Sequence, residues 1–229
     1  MGNLSEFLME ELNVATAFTI PIFGGIEVAE STVISWVIMA IIVILTLVLT
    51  RNMRVEKPGK LQVGVEYAVT ALQNLVRGII GPEGERYVPY LSTVLVFLGI
   101  SNIFAIFGMK PPTKDLNVTA ALALMSIILV QAASIRQNKV GGWLKGFTKP
   151  SKVITPLNVM ELAIRPLSLC MRLFGNVMGA FVVMKLLEHL VPVILPAVFS
   201  LYFDFFDGLL QAYVFVFLTG LYIKEAVEE

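Results

Sequence analysis

The chain has 229 residues, 57% of them hydrophobic and only 15% charged, with a mean hydropathy of +0.82. Soluble domains carry about 25% charged residues, and here the apolar residues come in long runs, so one large soluble core is excluded. Lys plus Arg and Asp plus Glu number 17 each, which points away from nucleic acid, and the single Cys170 excludes an internal disulfide framework or a cysteine metal cluster.

The N-terminal stretch Met1–Asn13 holds Glu6, Glu10 and Glu11 and no basic residue, a poor match to a cleaved signal peptide. Residues 1–30 are expected to form an external segment before the first span. A bilayer core takes about 20 apolar residues as helix. Residues 31–50 supply the cleanest such run, ending at Arg51 and Arg54. Gly59–Gly81 mixes apolar residues with Gln62, Glu66, Gln73, Asn74 and Arg77, the pattern of a helix lying on the surface. Residues 87–108 and 116–135 read as the second and third spans. Lys139–Lys152 is basic, with Trp143 as an interface anchor. Residues 158–190 stay helix-compatible for longer than one span needs, with Pro166 as a possible kink. Pro192 and Pro196 then break the chain before a last span over residues 197–223.

The fold class is therefore an all-α integral membrane protein of about five spans plus interfacial helices, in a single membrane domain over residues 1–229. No internal repeat is visible. Arg51, Arg54, Lys57 and Lys60 follow the first span, and Arg136, Lys139, Lys145, Lys149 and Lys152 follow the third. The positive-inside rule puts both groups in the cytoplasm, the N-terminus outside and the C-terminus inside.

Charges within apolar helices are expensive and mark functional candidates. The fourth span holds Glu161, Arg165, Arg172, Lys185, Glu188 and His189. Arg172 lies too deep to snorkel easily, and a guanidinium keeps its proton. Helical period groups Arg165, Ser168, Arg172, Asn176 and Gly179 near one face, and Gly175 and Gly179 form a small-xxx-small pair that admits a close neighbour. A fixed cation on a smooth face suits a partner helix sliding past with a carboxylate, whose anionic form it would favour. A structural ion pair, or the lining of a wet crevice, fits the same spacing. On the last span Asp204, Asp207 and Gln211 follow at i, i+3 and i+7, one face of an α-helix. A rise of about 1.5 Å per residue from a turn near Pro192–Pro196 brings Gln211 level with Asn176 and Arg172, and Asp204 and Asp207 near Lys185 and Phe181. An Asp204–Lys185 pair is open as a structural or a channel feature.

At these residues a resemblance emerges. Ser168-Leu169-Cys170-Met171-Arg172-Leu173-Phe174-Gly175-Asn176 resembles the S-L-x-x-R-L-F-G-N signature of ATP synthase subunit a. Gln211-Ala212-Tyr213-Val214-Phe215 is similar to the Q-A-[FY]-[IV]-F segment of that family's last helix, and Pro112–Thr119 to its P-[ST]-x-D-x-N-V-T stretch. Asn102 falls where the family has an Asn in the preceding span. The resemblance implies that Arg172 is the stator arginine separating two half-channels and facing the c-ring carboxylate, with Gln211 and Asn176 beside it on a hairpin tilted against the ring. It implies partners in the c-ring, the subunit b peripheral stalk and the rest of the ATP synthase, the bacterial inner membrane as location, and neither a cofactor nor a catalytic site of its own.

Two positions depart from the family pattern. Where many relatives have Glu nine residues after the arginine, this chain has Phe181, and where many have His seven before the glutamine it has Asp204. A carboxylate that has changed helices makes Asp204 the candidate for the outer half-channel, with Asp207, Lys185, Glu188 and His189 behind it. Family frequency favours H+ as the ion, with Na+ as the alternative. The run Gly78–Arg86 lacks the Lys-Ser/Thr ending of a phosphate loop. The rival classes are a stand-alone secondary transporter, for which related halves are missing, and a purely structural membrane protein.

Overall fold

A computed structural model describes residues 16–20, 26–55, 58–104, 111–146, 155–190 and 199–228. The side chains of Glu188, His189 and Asp204 lie outside the described residues. Two short antiparallel strands, β1 (Thr16–Ile20) and β2 (Ile26–Ala29), pair with Phe18 opposite Val28 and Ile20 opposite Ile26. They fall in the segment read from the sequence only as external. Everything else described as regular structure is helical.

Helix α1 (Glu30–Thr50) has 21 residues, about 32 Å at the α-helical rise, enough for a bilayer core. Only Ser31, Ser35 and Ile38 are buried, near its start. Farther along, Leu47 and Val48 are 63% and 67% exposed, an apolar surface that water would not tolerate at this extent and lipid would.

Helix α2 (Lys60–Ile80) is the amphipathic element expected over Gly59–Gly81. It buries Val76, Ile79 and Ile80, the apolar stripe of its last turns. It stops at Gly81, whose φ of 78° suits glycine and whose N–H bonds the Arg77 carbonyl at 2.9 Å. A 3₁₀ turn, Glu85–Tyr87, leads into α3 (Val88–Ile103), with Pro89 in its first turn, where a missing N–H costs nothing. The span expected over 87–108 thus has 16 residues as described helix, and residues 105–110 lie outside the description.

A second 3₁₀ turn, Pro112–Lys114, delivers the chain to α4 (Leu116–Gly146). Asp115 caps it: one carboxylate oxygen accepts the Asn117 N–H at 2.9 Å and the other accepts the Ser31 hydroxyl from α1. α4 runs past residue 135 and breaks at Lys139, with φ 56° and ψ 166°. Beyond the break, the Trp143 indole N–H reaches back to Gln131 Oε1 at 2.8 Å. Helix α5 (Thr155–Leu190) is 36 residues long and contains Pro166. The last helix, described from Phe199, is π-helical over Leu201–Asp207 and continues as α6 (Gly208–Glu228).

Among the described residues, four helical stretches are long and apolar enough to cross a membrane: Glu30–Thr50, Leu116–Trp143, Thr155–Leu187 and Leu201–Val227. The core gathers where α3, α4, α5 and α6 meet, around Leu91, Leu98, Leu173, Phe215, Val216 and Ile223, all fully or almost fully buried. α2 packs across α6. At Gly220 of α6 a β-carbon would stand 2.9 Å from Ile79 Cγ2, so only a residue without one permits this approach.

Candidate functional site

The site is built where α5 lies beside α6. Leu169 and Leu173 turn inward from α5 and are buried, which leaves the opposite face of the same turns uncovered. On that face Ser168, Arg172, Gly175, Asn176 and Gly179 are exposed. A β-carbon added at Gly175 or Gly179 would meet nothing within 4 Å. Arg172 has no hydrogen-bond or ion-pair partner among the described residues. The charge is therefore presented outward, on a strip that no other described part of the chain covers.

One turn along from Arg172, Asn176 Nδ2 donates to Gln211 Oε1 at 2.6 Å, joining α5 to α6. Gln211 is 2% exposed. The level expected for Gln211 and Asn176 is thus met, but the glutamine accepts from the asparagine and does not hold the guanidinium. Its burial between the two helices points it away from the open strip.

Toward the start of α5, Arg165 is clamped. Its Nη2 lies 2.8 Å from Glu161 Oε2 and 2.9 Å from Glu225 Oε1 of α6, and the guanidinium stands 5.0 Å from the centre of the Tyr222 ring. Arg165 and Arg172 share a helix face by spacing, yet one is tied to α6 and the other is not. Glu225, a carboxylate near the end of the chain, was not among the candidates; its distance in sequence from Arg165 hides the pairing.

At the other end of α5, Lys114 is 7% exposed and its Nζ lies 3.4 Å from the centroid of Phe181. Lys185 Nζ lies 5.8 Å from the same ring. The 3₁₀ turn folds Lys114 under α5, where the aromatic face of Phe181 is one of its contacts.

The stripe Asp204–Asp207–Gln211 needs correction. Its spacing assumes α winding throughout, whereas Leu201–Asp207 is π-helical. A π turn holds one residue more than an α turn, so each such turn rotates the face by about 100°. Asp207 is partly buried, immediately before Gly208, and the Asp204 side chain lies outside the description, as do those of Glu188 and His189. Around that joint a buried network is closed. Asn102 Nδ2 donates to the Gly208 carbonyl at 2.8 Å, and the Thr113 hydroxyl donates to Asn102 Oδ1 at 2.9 Å.

Long lipid-compatible helices define a multi-pass membrane protein, with an exposed arginine on one of the longest of them. Residues 32–224 match the ATP synthase A chain family. The chain is similar to ATP synthase subunit a of Moorella thermoacetica, 37% identical with 89% of this chain and 93% of the relative covered. It is also similar to ATP synthase subunit a 1 of Hahella chejuensis, 33% identical over 90% of this chain and 87% of the relative. A third relative, ATP synthase subunit a, sodium ion specific, of Propionigenium modestum, is 31% identical over 89% of this chain and 75% of its own length. The chain belongs to the ATP synthase A chain family, and its role is that of an ion-translocating stator subunit serving ATP synthesis.

Proposed function

We propose that Arg172 is the fixed charge past which the carboxylates of a rotating c-ring move, and that the polar residues around it divide two half-channels. The observation that supports this most directly is the bare strip: an exposed guanidinium flanked by Gly175 and Gly179, with open space above both glycines. A ring helix approaching this strip can come within backbone distance. Its carboxylate would be held anionic beside Arg172 and would release its ion, then take up another once past.

Asn176 and Gln211 brace the strip from behind. Asp204 and Asp207 serve the outer half-channel, with Lys185, Glu188 and His189 at its mouth; Glu161, Arg165 and Ser168 lie toward the inner one. The ion is H+, the N-terminus lies outside and the C-terminus in the cytoplasm of a bacterial inner membrane. Subunit b and the rest of the synthase hold the chain still against the ring.

The experiment is ATP synthesis by the whole complex in liposomes, comparing wild type with Arg172→Ala under a proton and then a sodium gradient. Lost synthesis in a normally assembled mutant supports the role given to Arg172; undiminished synthesis overturns it. A wild type driven by sodium alone would move this chain to the specificity named for the Propionigenium modestum relative.

A further inference from the structure

The last helix passes from π to α winding at Gly208, and that residue is held from the side. Leu201–Asp207 is π-helical and Gly208–Glu228 is α-helical. A ladder of this kind has no intrinsic reason to switch at Gly208, because π winding is rare and is kept only where the surroundings enforce it. The surroundings here are Asn102 of α3, 3% exposed, whose amide donates to the Gly208 carbonyl at 2.8 Å. Thr113, fully buried, fixes the orientation of that amide by donating to its oxygen at 2.9 Å. A β-carbon at Gly208 would come 2.9 Å from Asn102 Cβ, so the glycine is what allows the asparagine to sit against the helix backbone. Leu209, the next residue, touches the face of Gly99 on α3, where an added β-carbon would lie 3.5 Å from Leu209 Cδ2.

We infer that Asn102 is a positioning residue. It pins the joint between the π and α segments, and so sets the rotation of the segment bearing Asp204 and Asp207 relative to Gln211. The inference builds on the role proposed above for the polar face of this helix, but the joint itself is independent of that role. The polar face is out of α phase with Gln211 because of the π winding. Release of Gly208 lets the segment relax toward α winding, which turns Asp207 and everything before it about the helix axis. Asn102 acts through backbone and touches no translocated ion.

The test uses the assembled complex in liposomes. Single cysteines at Phe203, Phe205 and Phe206 are labelled with a water-soluble maleimide, with one at Tyr213 as the reference and buried Cys170 left in place as background. Each is read in the wild-type, Asn102→Leu and Thr113→Val backgrounds. Asn102→Leu keeps the side-chain volume, so a change reports the hydrogen bonds and not a cavity. The expected result is a redistribution of labelling rates among 203, 205 and 206 by roughly ten-fold, the size expected for losing a buried amide's bonds, with Tyr213→Cys unaltered. The ion concentration for half-maximal synthesis rises in parallel while the maximal rate changes less. Thr113→Val, the milder change, shifts both in the same direction. Unchanged labelling in assembled Asn102→Leu and in Thr113→Val would overturn the inference. Arg172→Ala separates the two readings: undiminished synthesis there sinks the role of Arg172, while the labelling pattern still decides on Asn102.

Discussion

The ammonium nitrogen of Lys114 sits over the Phe181 ring, 3.4 Å from its centroid. The lysine is 7% exposed, and the ring is one of the contacts it makes there. With Lys185 5.8 Å from the same ring, two ammonium groups converge on one aromatic side chain. A carboxylate placed there would meet both. We expect Phe181→Glu to assemble and to support synthesis, and Phe181→Leu to lower the stability of the chain by about 1–2 kcal/mol through loss of ring contacts. Unfolding in detergent, followed by intrinsic fluorescence, checks the order. Destabilisation of Phe181→Glu beyond Phe181→Leu would show that the ammonium groups cannot reach an anion there.

The Arg165 clamp gives a second expectation. Glu161 and Glu225 are about half exposed, which limits what either ion pair contributes. Glu225→Gln should therefore cost about 0.5–1 kcal/mol, and less at high salt. Arg165→Ala should cost more, because the guanidinium also stacks over Tyr222 and its stem packs beside Pro166 and Leu169. A double-mutant cycle between Glu225→Gln and Arg165→Ala reads the coupling, which vanishes if the pair is absent in the membrane.

Gly220 reports on the docking of α2. Gly220→Ala places a methyl 2.9 Å from Ile79 Cγ2 and 3.4 Å from Ile80 Cγ1, and overpacking of this kind costs about 1–3 kcal/mol. Ile79→Ala in the same chain makes room, so the double mutant should lose less stability than the two single costs added together. A double mutant that loses the full sum would mean that α2 does not lie on α6 as described.

The Asn176–Gln211 bond predicts strong non-additivity. Gln211 is 2% exposed, so Asn176→Ala strands a buried amide oxygen at a cost of about 1–3 kcal/mol. Adding Gln211→Leu removes the stranded group, so the double mutant should recover part of the loss and be more stable than Asn176→Ala. Thermal unfolding of the four chains measures it; costs that simply add would place the two side chains out of contact.

How much could be read beforehand varies with the physics involved. The lipid-facing length of α1 and α5 is written in composition, since a helix must supply its own apolar surface residue by residue. Element limits shifted by a few residues, as at α5, which starts at Thr155 and not 158. The bare strip around Arg172 was legible because helical period and small residues both act locally. The π segment was not: nothing in Leu201–Asp207 itself announces an extra residue per turn, and the winding is decided by Asn102, 106 positions away in sequence from Gly208. The burial of Lys114 was likewise out of reach, since whether a distant helix covers a lysine in a short loop is not written in the loop itself.

Before it meets a partner, this chain has a difficulty of its own making. A guanidinium left facing hydrocarbon costs about 2.5–3.5 kcal/mol on insertion scales, and Arg172 is exposed with no described partner to relieve it. That cost falls on the chain for as long as nothing covers the strip, and a partner laid against it would remove the cost. The exposed charge thus makes the solitary chain the less comfortable species in the membrane, favouring its capture into a complex or its clearance by membrane proteases.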